Sequence, residues 1–339
     1  MARVAILGAG DMGTALTTPL AANGHDVRLL GTHLDGEIVA ALGGGHAHPR
    51  LGVTVAPNVR VFFADDWAEA LGGAEVAVVA VTSDGVRPVV SALAEPLSRV
   101  PIVVTVAKGF DPGTASGDVL LLPEVIATYT DAPIVGVGGP SKANEVARGI
   151  PTAVVFGGPA SATERSREIF ATAAYKVETS TDLNGIEIAA AMKNAYAIAL
   201  GVADGLEHRT GTPHHNLRAA LFPRAVGEMG RLAEACGGRT ETVAGLAGSG
   251  DLQVTITSGR NRLLGERIGR GESGGEAAAS LRSAGITVEG YAATDFGYRL
   301  ARRLGDGATG PGLDLPLLRG LWSILYENAP ALETLWAAV

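Results

Sequence analysis

The stretch Arg3-Val4-Ala5-Ile6-Leu7-Gly8-Ala9-Gly10-Asp11-Met12-Gly13 limits the possible folds more than any other part of the chain. Arg3–Leu7 reads as a buried strand, Thr14–Ala22 as a helix stopped by Asn23-Gly24, and Val27–Leu30 as a second strand. Three glycines between strand and helix have separate duties. The first permits a tight turn, the second lets backbone approach a diphosphate, and the third lets helix pack on strand. The diphosphate rests on the positive end of the helix. This arrangement predicts a dinucleotide-binding domain, with Gly8, Gly10, Asp11, Met12 and Gly13 as the loop that holds the cofactor.

The end of the second strand bears on which dinucleotide is taken. It reads Leu30-Gly31-Thr32-His33, without the acidic residue that bonds the ribose 2′-hydroxyl of NAD; Asp35 comes slightly late. No Arg follows directly to hold a 2′-phosphate, but Thr32 and His33 can donate to one. The cofactor is therefore NAD or NADP, with a lean towards NADPH.

The alternation continues. Val76–Val81, Ile102–Val106, Ile134–Val137, Thr152–Phe156 and Tyr175–Glu178 read as strands, most of them continuous in Val and Ile as in a parallel sheet covered on both faces. Ser83–Ser98 and Ser161–Ala173 read as helices between them, and after Asp182 only helices are expected. The predicted fold class is α/β: a Rossmann-like doubly wound domain over residues 1–182, then an all-α domain over 183–339. Gly43–Gly45 and Asp306–Gly312 read as surface loops.

A chain of 339 residues has room for two domains of about 150 each. With 47% hydrophobic and 18% charged residues it can build a large core. A formal charge of −8 argues against a nucleic-acid partner. A single cysteine, Cys236, leaves no intramolecular disulfide framework and fits a reducing compartment. The N-terminus enters a strand at once, without a signal peptide, so a cytoplasmic location is expected.

Ile188–Ala203 is the second constraint. Its composition favours a long helix, capped by Asp182 or by Asn184 with Glu187, and a helix apolar all round is a buried one. The run is short of the roughly 20 residues of a membrane span and carries a charge near its middle, so no integral membrane segment is expected. Lys193 is then anomalous. A buried ammonium must find a partner or give up its proton, and such a lysine suits acid–base work on an oxygen, the alternative being a lysine that snorkels to the surface.

Other candidates follow. Lys108, just after a strand, is placed where doubly wound sheets bind ligands, though a solvated lysine would sit there equally well. Gly245–Arg262 combines glycines with Thr255, Arg260, Asn261 and Arg262, groups suited to phosphate, and with one carboxylate, Asp251. Gly139–Glu145 opens a helix after a strand. His46, His48, His214 and His215 have no accompanying ligand set, so no metal is expected.

In order along the chain, GAGDMGTAL, AKG, GPSKANEVARGIPTA, EIAAAMKNAYAIALGVADGL, GLAGSGDL, TSGRNR and VEG resemble the NAD(P)-dependent glycerol-3-phosphate dehydrogenase family. The resemblance implies a Rossmann-like domain followed by a helical domain, a homodimer, and interconversion of dihydroxyacetone phosphate with glycerol 3-phosphate. It implies Lys193 as the acid–base group, with Lys108 and Asp251 beside it. Asn194, Thr255, Arg260 and Asn261 are implied to hold the small phosphorylated substrate. Ala143 is implied near the nicotinamide and Glu289 near the adenosine end, with Lys108 and Arg260 also facing the cofactor.

The chain departs from the family pattern in places. Lys142 stands where an apolar or aromatic residue is usual, Met12 where an aromatic is common, Ala107 where Thr is usual and Pro223 where Thr is common. Arg209–His215 is longer and more basic than the usual link. Two alternatives stay open on these grounds: a dehydrogenase of another small phosphorylated polyol or ketose, and a non-catalytic dinucleotide-binding regulatory protein.

Overall fold

The computed structural model describes residues 1–113, 118–305 and 312–339. The chain forms two compact units, Met1–Asp111 with Leu120–Leu183 and Pro112–Val119 with Asn184–Val339.

The first unit is built on ten strands: β1 Arg3–Leu7, β2 Asp26–Leu30, β3 Val59–Phe62, β4 Val76–Val79, β5 Ile102–Thr105, β6 Phe110–Asp111, β7 Leu120–Leu121, β8 Ile134–Gly138, β9 Thr152–Gly157 and β10 Tyr175–Ser180. Eight of them form one sheet in the order β10-β9-β8-β5-β4-β1-β2-β3, while β6 and β7 make a small antiparallel pair. From β3 to β8 every neighbour is parallel, the doubly wound arrangement whose ligands bind beyond the carboxyl ends of the strands. Alternation along the strands divides the core between the two faces. Val4, Ile6, Val76 and Val78 pack in one cluster, and Ala5, Leu7, Ala77 and Val79 in the other.

Two features of this sheet were not expected from the sequence. β9 runs antiparallel to β8, carrying β10 with it. β3 is a short edge strand whose second residue, Arg60, is exposed and paired with Asp26 and Glu69. The helix expected over 83–98 is two, Ser83–Ala92 and Ala94–Leu97, broken at Leu93. Pro96 has no N–H for the carbonyl of Ala92, and its ring would crowd that group.

The second unit is helical around Leu183–Thr210, a helix of 28 residues with a continuous buried stretch from Gly185 to Ala203. It is long and apolar enough to cross a membrane by composition, but its most hydrophobic window is entirely buried inside the protein, so it is a core helix. It starts at Leu183, leaving Asp182 at the cap position; the Asn184 amide instead donates to the carbonyl of Cys236 at 2.7 Å.

The helix Arg260–Arg270 crosses the long helix backbone against backbone. A Cβ on Gly201 would stand 2.4 Å from the carbonyl oxygen of Arg262, and one on Gly205 2.0 Å from that of Glu266. In return, a Cβ on Gly265 would meet the carbonyl oxygen of Ile198 at 2.0 Å and one on Gly269 that of Val202 at 2.2 Å. Two small-xxx-small pairs thus allow an approach that any side chain would prevent.

A buried carboxylate locks a third helix into this unit. Glu228, on the helix His215–Ala235, accepts from the Tyr196 hydroxyl and from the amides of Leu317 and Leu318 at 2.6–2.8 Å. These amides open the helix Pro316–Tyr326, so the carboxylate answers otherwise orphaned donors at a helix start. Burial pushes the Glu228 carboxyl above its usual range, against the pull of these bonds.

Asp306–Gly312, expected to be a loop, lies outside the described residues except for Gly312.

Candidate active site

In the first unit the glycine loop joins β1 to the helix Asp11–Ala22. Gly8 has a φ of +114°, in the left-handed region, and a Cβ there would lie 2.6 Å from the carbonyl oxygen of Ala80. A Cβ on Gly13 would lie 2.0 Å from the carbonyl oxygen of Gly8, whereas around Gly10 nothing lies within 4 Å of the added carbon. The protein's own packing demands the first and third glycines. The second leaves bare backbone open to space, which fits an arriving diphosphate.

The surroundings of the loop adjust its charge. Asp11, in the first turn of the helix, accepts from Arg50 Nε at 2.7 Å, so its charge at the helix start is compensated. Met12 packs against the core, with the Ser141 hydroxyl 4.0 Å from its sulfur. Buried His48 accepts on Nδ1 from the amides of Arg50 and Leu51, leaving Nε2 3.8 Å from Asp11 Oδ1. Burial holds its pKa below the usual 6.5, with Asp11 pulling the other way.

Asp35, slightly late in the sequence for a ribose contact, is engaged within the protein. Its Oδ2 accepts from the Ala9 amide at 3.1 Å and from both the amide and the hydroxyl of Thr32 at 2.8 Å. It thereby ties the end of β2 to the glycine loop and engages the Thr32 hydroxyl, while His33 stays exposed. The signal was the Thr-x-x-Asp spacing, which lets a carboxylate reach back to a preceding amide.

Lys108 follows β5, and its Nζ lies 3.5 Å from the carbonyl oxygen of Gly139, just past β8. Ala143 opens the short helix Ala143–Val146 with Lys142 at its cap position. All these residues belong to the first unit.

The second unit holds the buried lysine. Lys193 is 7% exposed, and its Nζ donates to Asp251 Oδ1 at 2.5 Å and to Thr255 Oγ1 at 3.0 Å. The Thr255 hydroxyl in turn donates to the carbonyl of Asp251 at 2.7 Å. The glycine-rich run before Asp251 supplies the geometry. Leu246–Gly250 makes one wide π-type turn, with the Gly250 amide bonded to the Gly245 carbonyl at 3.2 Å. Such widened turns concentrate at functional sites. Asp251 then begins the helix Asp251–Thr257, where the helix dipole favours a carboxylate.

One residue along, Asn194 begins a second network. Its Oδ1 accepts from Asn261 Nδ2 at 2.9 Å, and its Nδ2 donates to Glu289 Oε2 at 3.3 Å. Asn261 Oδ1 accepts from the Gly290 amide at 2.9 Å, and Arg260 lies 3.9 Å from Glu289 with its side chain 58% exposed. The structure thus brings together Lys193, Asp251 and Thr255, and beside them Asn194, Asn261, Glu289 and Arg260. Arg262 does not join them. It pairs with Asp204 at 2.7 Å, which also holds Arg218.

Of the departures from the family pattern, Ala107 is buried in the core, and Pro223 lies within the helix His215–Ala235. Arg209–His215 covers the end of one helix, a turn at Gly211 and the start of the next, largely exposed.

A doubly wound sheet with an open glycine loop, and a helical unit with a lysine–aspartate pair, are the parts of a dinucleotide-dependent oxidoreductase. The model of the NAD-dependent glycerol-3-phosphate dehydrogenase N-terminus matches residues 3–165, and that of the C-terminus matches 182–335. The chain belongs to that family. It is 38% identical to an NADP(+)-dependent glycerol-3-phosphate dehydrogenase of Archaeoglobus fulgidus over 98% of each chain. It is 36% identical to a glycerol-3-phosphate dehydrogenase [NAD(P)+] of Chlorobium phaeobacteroides, over 97% of this chain and 94% of the relative. Among solved structures, glycerol-3-phosphate dehydrogenase from Coxiella burnetii superposes with a TM-score of 0.83 at 30% identity, covering 99% of this chain and 98% of that one.

Proposed function

We propose that the protein interconverts dihydroxyacetone phosphate and sn-glycerol 3-phosphate with NAD(P)H, and that Lys193 moves the proton. The observation that carries the lysine's role is the lysine itself: an ammonium 7% exposed on an apolar helix, within hydrogen-bond reach of the Asp251 carboxylate and the Thr255 hydroxyl.

Reduction of a ketone needs a hydride at carbon and a proton at oxygen. The nicotinamide, when bound, supplies the hydride. Lys193 gives its proton to the substrate oxygen and takes it back in the reverse direction. Asp251 fixes the direction of the ammonium and Thr255 fixes its second hydrogen. Asn194, Thr255 and Asn261 position the substrate, and Arg260, the exposed guanidinium of the group, takes the phosphate as a planar fork. Lys108 is assigned to catalysis and to cofactor binding. Gly8, Gly10, Asp11, Met12 and Gly13 hold the diphosphate, Thr32 and His33 the adenosine ribose, and Ala143 the nicotinamide end, with Arg260 and Glu289 also assigned to the cofactor. Residues 1–182 are then the dinucleotide-binding part and 183–339 the substrate-binding and catalytic part.

For the cofactor we retain the lean to NADPH. The exposed imidazole of His33 offers a donor to a 2′-phosphate, and the Archaeoglobus relative is named for NADP(+). The test is oxidation of NADH and of NADPH with dihydroxyacetone phosphate, side by side. Rapid turnover with NADPH and slower turnover with NADH is expected. No turnover with either, from protein that still binds cofactor, would move the activity to another phosphorylated ketose.

A further inference from the structure

The second unit has a cavity that the reaction does not use. It is a half-open cleft of about 310 Å³ between the helices Glu289–Leu304 and Pro316–Tyr326 and the segment leading into the latter. That volume lies at the small end of ligand sites. Leu313, Leu315 and Leu318 line it, along with Tyr298, Arg302 and Arg319.

The walls are held in place. The Leu313 amide donates to the carbonyl of Ala301 at 3.0 Å, and Gly312 packs so tightly on Gly305 that a Cβ on the latter would lie 2.2 Å from its Cα. Tyr298 stacks on Trp322 with ring centroids 4.5 Å apart, and Trp322 is itself tied to Asp295 through its indole N–H at 3.1 Å. Neither the two guanidiniums nor the Tyr298 hydroxyl has a hydrogen bond or ion pair among the described residues. The neighbouring Arg299, by contrast, is paired with Asp295. Both guanidiniums are exposed at the rim of this cleft, and neither is paired among the described residues.

From this arrangement we propose a second binding site, for a small amphipathic anion: a phosphate or carboxylate head bearing a short alkyl or aryl group. The head binds the forks of Arg302 and Arg319 and the Tyr298 hydroxyl, and the apolar body lies on the three leucines. The site is separate from the chemistry. Glu289 and Arg302 share one helix, roughly 20 Å apart at 1.5 Å per residue.

Trp322 provides the readout. In a Trp67→Phe/Trp336→Phe background it is the only tryptophan, and hexyl phosphate should change its emission saturably, with calorimetry as the check should the emission be silent. Binding should be roughly tenfold weaker in each of Arg302→Gln and Arg319→Gln. It should be unchanged in Arg260→Ala, which removes the guanidinium assigned to substrate phosphate. The double variant Arg302→Gln/Arg319→Gln should turn over like the unmodified protein. Two outcomes would overturn the proposal: inorganic phosphate binding as tightly as hexyl phosphate, which removes the leucine floor from the site, or the double variant binding as tightly as the parent.

Discussion

Lys193 Nζ and Asp251 Oδ1 lie 2.5 Å apart, both residues almost wholly buried, the lysine at the centre of the long helix and the aspartate at the start of a short one. Replacing either member takes a buried charge away from a close counter-charge. Lys193→Met should lower kcat by about 10²–10⁴ while leaving the Kd for reduced cofactor unchanged. It should also destabilise the fold, by up to about 3–5 kcal/mol, because Asp251 loses the ammonium 2.5 Å from its Oδ1. The double variant Lys193→Met/Asp251→Asn should recover stability in urea denaturation and remain inactive. Normal turnover in either variant would remove Lys193 from the proton transfer.

Gly10 and Gly13 should respond differently to the same change. Gly10→Ala adds a carbon into open space, so its melting temperature should stay within a few degrees of the parent while cofactor Kd rises about tenfold. Gly13→Ala drives a carbon against the carbonyl of Gly8, so it should lose stability outright. Unchanged cofactor affinity in Gly10→Ala would mean that the diphosphate lies elsewhere.

Arg260 and Arg262, two positions apart, should separate by readout. Arg260→Ala should raise KM for the phosphorylated substrate with little effect on unfolding. Arg262→Ala leaves Asp204 with Arg218 alone and should lower stability more than it changes KM. An unmoved KM in Arg260→Ala would exclude it from the phosphate site.

Glu228 answers three buried donors at once, so Glu228→Ala should cost about 3–5 kcal/mol, read as a drop in the denaturation midpoint. A loss within about 1 kcal/mol would mean that water replaces the carboxylate there.

His48 gives a pH dependence of definite sign. Its pKa is lowered in the folded protein by burial, so the unfolded chain takes up the proton first. The contribution is present above about 6.5 and is lost as pH falls below that, through the folded value. Stability should therefore fall more steeply below pH 6.5 in the parent than in His48→Asn, measured by urea midpoints across the range. Parallel curves would show that another group carries the acid sensitivity.

The doubly wound sheet was legible because its evidence is local. Strand, glycine loop and helix follow one another from residue 3 to residue 22, and the long helix declares its burial by being apolar on every side. β3 was not legible: four residues with an exposed arginine carry little periodic signal. The reversal at β9 was hidden for another reason, since a buried strand reads the same in either direction. Within the site, the nearness of Lys193 to Asp251 and of Asn194 to Asn261 came from resemblance to a family, because both pairs are distant in sequence. What Arg262 does depends on Asp204, and what Thr32 does depends on Asp35. Such choices of partner are settled by packing, and no spacing rule announces them.

The glycine crossing between the long helix and Arg260–Arg270 has a consequence for how such an enzyme can change. The two helices that carry Lys193, Asn194, Arg260 and Asn261 are gauged by peptide groups, which have one size, and not by side chains, which come in many. Repacking cannot widen or narrow that gauge by degrees. A new substrate has to be met by altering what the helices present, because the distance between them is not open to adjustment.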